Sequence, residues 1–134
     1  MKIDGGCHCG QVHYEAEIDP ERVFVCHCTD CQTLTGSPYR VSVLTTRESV
    51  RITQGAPKIY IKTAESGTQR AHAFCPECGS PIYASAINNP ASYTLRLGSI
   101  KQRAQLRRPI RQIWCSSALS WSMDIREIAQ TSRQ

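Results

Sequence analysis

Seven of the eight cysteines in this 134-residue chain fall into three tight groups. The first is Cys7-His8-Cys9, the second Cys26-His27-Cys28-Thr29-Asp30-Cys31, and the third Cys75-Pro76-Glu77-Cys78-Gly79. Cys115 stands alone. Soft thiolate donors at such spacing point to a bound metal, zinc first and iron second. Disulfides fit poorly, because a bridge inside Cys-x-Cys closes a very small, strained ring. Inert buried thiols would not gather seven at a time.

Local geometry agrees with a metal. In extended chain, residues i and i+2 share a face, so Cys7 and Cys9 can aim at one ion, as can Cys26 and Cys28. The third group has the form of a zinc knuckle, with Gly79 relieving the backbone where it curls past the ion. Seven sulfurs divide as four plus three. A four-thiolate site is closed and structural, whereas a three-thiolate site leaves a position open to a substrate, a water or a thiol. Spacing alone leaves open which groups combine. On a strand, His8 and His27 face away from their cysteine neighbours and are expected outside the ligand set. Asp30 and Glu77 are expected at the surface or beside the ligands rather than as acid–base catalysts.

The elements that must hold these groups read mostly as short strands. Val12–Ile18 alternates apolar and polar residues at period two. Further strands are expected at Arg22–Cys26, Tyr39–Thr45, Ser49–Gln54, Lys58–Thr63, Pro81–Ala86, Ser92–Leu97 and Ile110–Trp114, all rich in Val, Ile, Thr or Tyr. Gly, Pro and Asn punctuate the gaps. Short helical turns are expected at Thr29–Thr35 and Met123–Gln130. The whole, residues 1–134, reads as one mainly antiparallel β domain with little helix. A structural metal suits so small a chain, contributing on the order of 10 kcal/mol at neutral pH.

Composition excludes other classes. Forty per cent hydrophobic and 20% charged residues describe neither a disordered tail nor a collagen. No run approaches the roughly 18 apolar residues of a membrane span. The start, Met1–Gly6, lacks the apolar stretch of a secretory signal, so a cytoplasmic protein without a membrane partner is expected. The net charge of +5 is uneven: residues 1–77 carry a net −1 and residues 78–134 a net +6. No acid occurs between Glu77 and Asp124, a gap holding Arg96, Lys101, Arg103, Arg107, Arg108 and Arg111. Such a stretch can attract an anionic ligand. Nucleic acid is disfavoured as a partner, because no aromatic residue interleaves the arginines from Arg96 to Arg111 to form a stacking platform.

Three blocks carry a resemblance: Gly5-Gly6-Cys7-His8-Cys9-Gly10; Cys26-His27-Cys28-Thr29-Asp30-Cys31-Gln32 with Gly36-Ser37-Pro38; and Phe74-Cys75-Pro76-Glu77-Cys78-Gly79-Ser80-Pro81. In this order they resemble the glutathione-dependent formaldehyde-activating enzyme family, which includes centromere protein V. The closing block Arg111-Gln112-Ile113-Trp114-Cys115 with Ala118-Leu119 and Trp121 is similar too, except that many relatives carry His where Gln112 stands. The resemblance implies a β-tent fold of two packed antiparallel sheets bearing zinc sites. It implies two zinc ions: a structural one held by Cys7, Cys9, Cys75 and Cys78, and one with an open position held by Cys26, Cys28 and Cys31. It implies a carbon–sulfur lyase that joins glutathione to formaldehyde as S-(hydroxymethyl)glutathione, or acts on a similar thiol–aldehyde adduct. Some of Arg96, Arg103, Arg107, Arg108 and Arg111 could then clamp a carboxylate of the small thiol. With seven thiolates and two zinc ions the net charge falls to about +2.

Cys115 has four readings: an inert buried thiol, which is preferred; a fourth ligand closing the second site; a redox nucleophile; or a surface thiol. The redox reading rests on Trp114–Leu119, which faintly resembles the catalytic segment of methionine-R-sulfoxide reductases. Two other functions therefore compete with the lyase: a zinc-stabilised, non-catalytic binding module, and a Cys115-dependent thiol redox enzyme. The sequence does not name the oligomeric state or a catalytic acid or base.

Overall fold

The computed structural model describes residues 1–133. Ten strands appear among them: β1 (Lys2–Gly6), β2 (His13–Glu17), β3 (Val23–Cys26), β4 (Arg40–Thr46), β5 (Val50–Gln54), β6 (Lys58–Thr63), β7 (Gln69–Phe74), β8 (Pro81–Ala86), β9 (Ser92–Arg96) and β10 (Arg111–Ile113). One α-helix, α1 (Thr29–Thr35), and four short 3-10 turns complete the set. The strands build a three-stranded sheet, β1-β2-β5, and a seven-stranded sheet, β10-β3-β4-β9-β8-β7-β6. Every pair is antiparallel except β10 with β3, which is parallel. The mainly β, two-sheet architecture expected from the sequence is thus present.

The core lies between the sheets. Ile3, Tyr14 and Ala16 of the small sheet meet Val23, Val43, Leu95 and Ile82 of the large one, with Val12, Ile18, Ile100 and Cys75 closing the cluster. Alternation explains most of this, since β2 buries Tyr14 and Ala16 while exposing Glu15 and Glu17. The Tyr14 ring lies over Gly5, its strand partner, and its hydroxyl meets Ser99 Oγ at 2.8 Å. A Cβ on Gly5 would fall 2.0 Å from Tyr14 Cζ. That glycine exists to let the ring through, and the ring fixes the strand that leads into Cys7.

Two strands were not expected, β1 and β7. The first is Lys-Ile-Asp-Gly-Gly and the second Gln-Arg-Ala-His-Ala-Phe. Neither is rich in β-branched residues. Pairing on β2, and on β6 and β8, overrides their weak local preference.

The helix expected at Met123–Gln130 is absent. A 3-10 turn ends at Met123, Asp124 is extended, and its carboxylate takes the Arg126 backbone N–H (3.1 Å) and guanidinium (2.6 Å). That local bond competes with helix. Met123, Ile125 and Ile128 are exposed, so no packing face supports a segment too short to stand alone. Among the described residues no helix is long and apolar enough to cross a membrane.

Gly5→Ala should destabilise the fold by about 1–3 kcal/mol through overpacking against Tyr14. Urea unfolding followed by circular dichroism measures this; an unchanged midpoint would mean the ring is not fixed over the glycine.

Candidate metal centres

The Cys7 and Cys9 turn follows directly on β1. Cys7 N–H donates to Val12 O at 3.0 Å, and Val12 N–H points back at Cys7 Sγ at 3.2 Å. Cys7 and Cys9 therefore converge through a turn, not through the strand pleat that their spacing suggested. The partner turn joins β7 to β8. Cys75 N–H donates to Ser80 O (2.9 Å), Gly79 N–H donates to Cys75 O (2.9 Å), and Gly79 has φ of 73°, the left-handed region that glycine enters at little cost. The two turns are tied together by His8 N–H donating to Ser80 Oγ at 3.1 Å.

These two turns bring the sulfurs of Cys7, Cys9, Cys75 and Cys78 within 4.8 Å of one another. Cys7 and Cys9 Sγ are 3.6 Å apart, and Cys9 and Cys75 Sγ 3.7 Å. A tetrahedron with bonds of about 2.3 Å has sulfur–sulfur edges of about 3.8 Å, whereas a disulfide is about 2.05 Å. The spacing fits four ligands on one ion, and all eight cysteines are free.

The second group is built on β3 and α1. Cys26 ends β3, and its sulfur lies within 4.8 Å of those of Cys28 and Cys31. Cys28 is the residue before α1, and its sulfur accepts the Cys31 N–H at 3.3 Å. Cys28 keeps an extended backbone (φ −60°, ψ 149°), so Cys26 and Cys28 converge from extended chain as their spacing suggested, and the first turn of α1 brings in Cys31. The intervening His27 is buried. Its backbone N–H donates to Ile113 O (3.0 Å), and its Nε2 meets Gln112 Oε1 at 2.7 Å. Gln32 Nε2 donates to His27 O (2.7 Å) and Ser117 O (2.9 Å). The C-terminal segment thus clamps the loop that carries the second group, with Gln112 contacting the histidine directly.

Thiol electrostatics shows what each group lacks. Hydrogen bonds from the Ser80 side chain and backbone pull Cys78 down to about 5. Cys9 is pushed up to about 12; the Gln11 backbone opposes this, while burial and the sulfurs of Cys7, Cys78 and Cys75 drive it. In the second group a hydrogen bond from Cys31 lowers Cys26, while the Cys26 sulfur and burial raise Cys31. Crowded thiols share protons. Only an added cation lets all of them ionise together.

The remaining sequence candidates separate. His8 is exposed, as is Glu77. Asp30 pairs with Lys62 at 2.6 Å, tying α1 to β6. Cys115 is exposed, which corrects the preferred reading of a buried thiol, and it does not belong to either sulfur group. It opens a 3-10 turn behind Trp114, whose backbone is left-handed (φ 59°) and whose side chain is exposed, so no core forms over it. Of the candidate arginines, Arg96 is buried and Arg103 joins it, with Lys101, on a cleft of about 620 Å³. Arg107 lies 4.0 Å from Glu21, and Arg111 sits over the Phe24 ring at 5.6 Å. Sequence reasoning missed Arg40, buried on β4 directly opposite Cys26. No sequence signal marked it, because its register with Cys26 exists only in the paired strands.

The family model for glutathione-dependent formaldehyde-activating enzyme matches residues 2–117. The chain belongs to that family. A curated relative of the formaldehyde-activating family chain, an uncharacterized lyase of Schizosaccharomyces pombe, is 27% identical over 92 residues. The match covers 69% of this chain and 64% of the relative, so it spans less than two thirds of that protein's length. A crystal structure of a Rhodobacter sphaeroides protein shares the fold, with a TM-score of 0.63 at 21% identity over 81% of this chain and 98% of the other.

On β7 of this family member, burial and the charges of Arg96 and Arg40 push His72 down to about 4, against an ordinary value near 6.5. Between those values the unfolded chain binds a proton that the folded chain refuses. Stability should therefore fall as pH drops from about 6.5 towards 4. His72→Gln should flatten that part of the profile. The check is the difference between the two stability–pH curves; parallel curves would contradict it.

Proposed function

We propose that residues 1–134 form one zinc-binding domain and act as a zinc-dependent carbon–sulfur lyase. Its substrate would be a thiol–aldehyde adduct, S-(hydroxymethyl)glutathione or a close analogue, formed from or cleaved to a free thiol and an aldehyde. The observation that carries this reading is the pairing of a four-sulfur group with a three-sulfur group in a chain of this family. The first is complete as a tetrahedral ligand set, and the second is one ligand short. The lyase name of the curated relative points the same way.

Zinc bound in the second group would supply a lowered thiol pKa and polarisation of a carbonyl oxygen. The reaction itself is redox-neutral. A sulfur–carbon bond forms while the thiol proton ends on the carbonyl oxygen, and cleavage reverses both. The chain's own residues fix the ligand set. Cys26 is anchored by β3, Cys28 is oriented by the Cys31 amide, and Gln32 and Gln112 hold the loop between them. Arg40 lies close enough to the group for its positive charge to favour the ionised form of Cys31.

The basic C-terminal half does not favour a nucleic-acid module. Arg96 is sunk in the interior, and the cations that stay exposed, Lys101, Arg103, Arg107, Arg108 and Arg111, have no aromatic residue among them on which bases could stack.

Cys31→Ser should lose saturable millimolar glutathione binding and acceleration of adduct cleavage, while shifting the melting temperature by only a few degrees. Cys75→Ser should fail to fold, because a structural zinc contributes on the order of 10 kcal/mol and a whole domain is stable by about 5–15 kcal/mol. Calorimetric titration and thermal melts check both. Unchanged glutathione binding by Cys31→Ser would defeat the proposal.

A further inference from the structure

Arg40 and Arg96 are the two Asp, Glu, Lys or Arg side chains buried among the described residues, at 3% and 7% exposure. Neither has a carboxylate within ion-pair distance there. Their protein partners are neutral. Arg40 Nε donates to Thr35 Oγ1 (2.9 Å), and Arg96 donates through one terminal nitrogen to Ser42 Oγ (2.9 Å). The other terminal nitrogen of Arg96 meets His72 Nδ1 at 3.3 Å, and Arg96 Nε is buried with no partner at all. A buried charge without a counter-charge is costly and persists only where something compensates it.

The register places both arginines on one face of the large sheet. Arg40 is opposite Cys26, Ser42 is opposite Arg96, and Arg40 and Ser42 are two residues apart on β4. A divalent ion with three thiolates carries a net −1, enough to balance one guanidinium and not two. Asp30, the acid on α1, is already taken by Lys62. Both arginines also line the cleft of about 620 Å³, together with Lys101 and Arg103 and with no aspartate or glutamate. That volume exceeds what a single small inorganic anion fills and suits a small organic acid.

We propose that Arg40 and Arg96 form a subsite for a carboxylate of a small anionic ligand, so that the protein selects its thiol by its acid group. This rests on the proposed lyase reading, in which the thiol end of the same ligand reaches the Cys26–Cys28–Cys31 group. A guanidinium presents a planar fork that matches a carboxylate. His72, held neutral, offers Arg96 an acceptor and adds no charge of its own. Lys62 and Arg70 add to the positive potential around that histidine. Selection by an acid group explains why an acid-free stretch of chain runs past the cleft.

The test titrates the zinc-loaded full chain with S-methylglutathione, which keeps both carboxylates and lacks a free thiol, and with its dimethyl ester. The acid should bind saturably and the ester at least tenfold more weakly. Arg96→Gln should bring the acid to the ester's affinity and leave the ester unchanged, with Arg96→Lys recovering part of the loss, and Arg40→Gln should weaken the acid at least tenfold. Equal binding of acid and ester overturns the subsite while leaving the lyase reading standing. So do arginine variants that weaken both ligands alike, which would mark a purely structural role. If free glutathione binds no tighter than the S-methyl compound while the acid–ester difference persists, the subsite stands and the thiol reading fails. No binding of any of the three overturns both. The acid–ester comparison uses the unaltered chain, so it decides the matter even if an arginine variant does not fold.

Discussion

Four sulfurs packed within a few ångströms cannot all be charged unless a cation sits among them. Most of the architecture follows from that constraint. Cys7 and Cys9 follow the first strand of the small sheet, and Cys75 and Cys78 sit in the turn between β7 and β8 of the large sheet. On our reading the ion they share is a staple between the two sheets, set beside a core that Cys75 itself joins. A chain of this length buries only about two-thirds of its unfolded surface, so a staple of this kind carries a large part of the stability. The amides of Val12 and Cys31 are aimed at the sulfurs of Cys7 and Cys28 and hold them in place.

The same electrostatic logic organises the second group. On the same reading three thiolates and a divalent ion would leave one negative charge, and Arg40 stands opposite Cys26 to meet it. Arg96 then remains as a second buried cation with an unpartnered nitrogen. His72 stays neutral beside it because burial and the neighbouring arginines forbid a further charge. On that reading the three-sulfur group and the arginine pair share one charge balance, and the arginines carry it into the cleft they line. The buried Tyr14 and the loops clamped by Gln32 and Gln112 keep its members in place.

Much of this was legible in the chain. Cysteine spacing exposed three clusters whose seven sulfurs divide as four plus three, and the resemblance assigned which clusters combine. Period-two alternation located eight of the ten strands, and α1 begins and ends where Thr29–Thr35 was expected. The rest depended on partners distant in sequence. β1 and β7 hold few β-branched residues and become strands through pairing. The expected helix at Met123–Gln130 has no surface to pack on, and Cys115 is exposed rather than buried. Arg40 looked like one cation among many until its register with Cys26 and its lack of an acid were known. The acid-free run after Glu77 was visible at once, but only the fold shows that Arg96 turns inward while Arg107 and Arg111 find partners elsewhere.

Metal content and thiol reactivity of the purified native chain decide whether seven of its cysteines hold two ions. Elemental analysis should find two zinc ions per chain. A thiol-reactive disulfide reagent should label one cysteine at once, the exposed Cys115, and the other seven only after chelation or unfolding. One zinc or none, or eight thiols that react together in the native chain, would contradict the account.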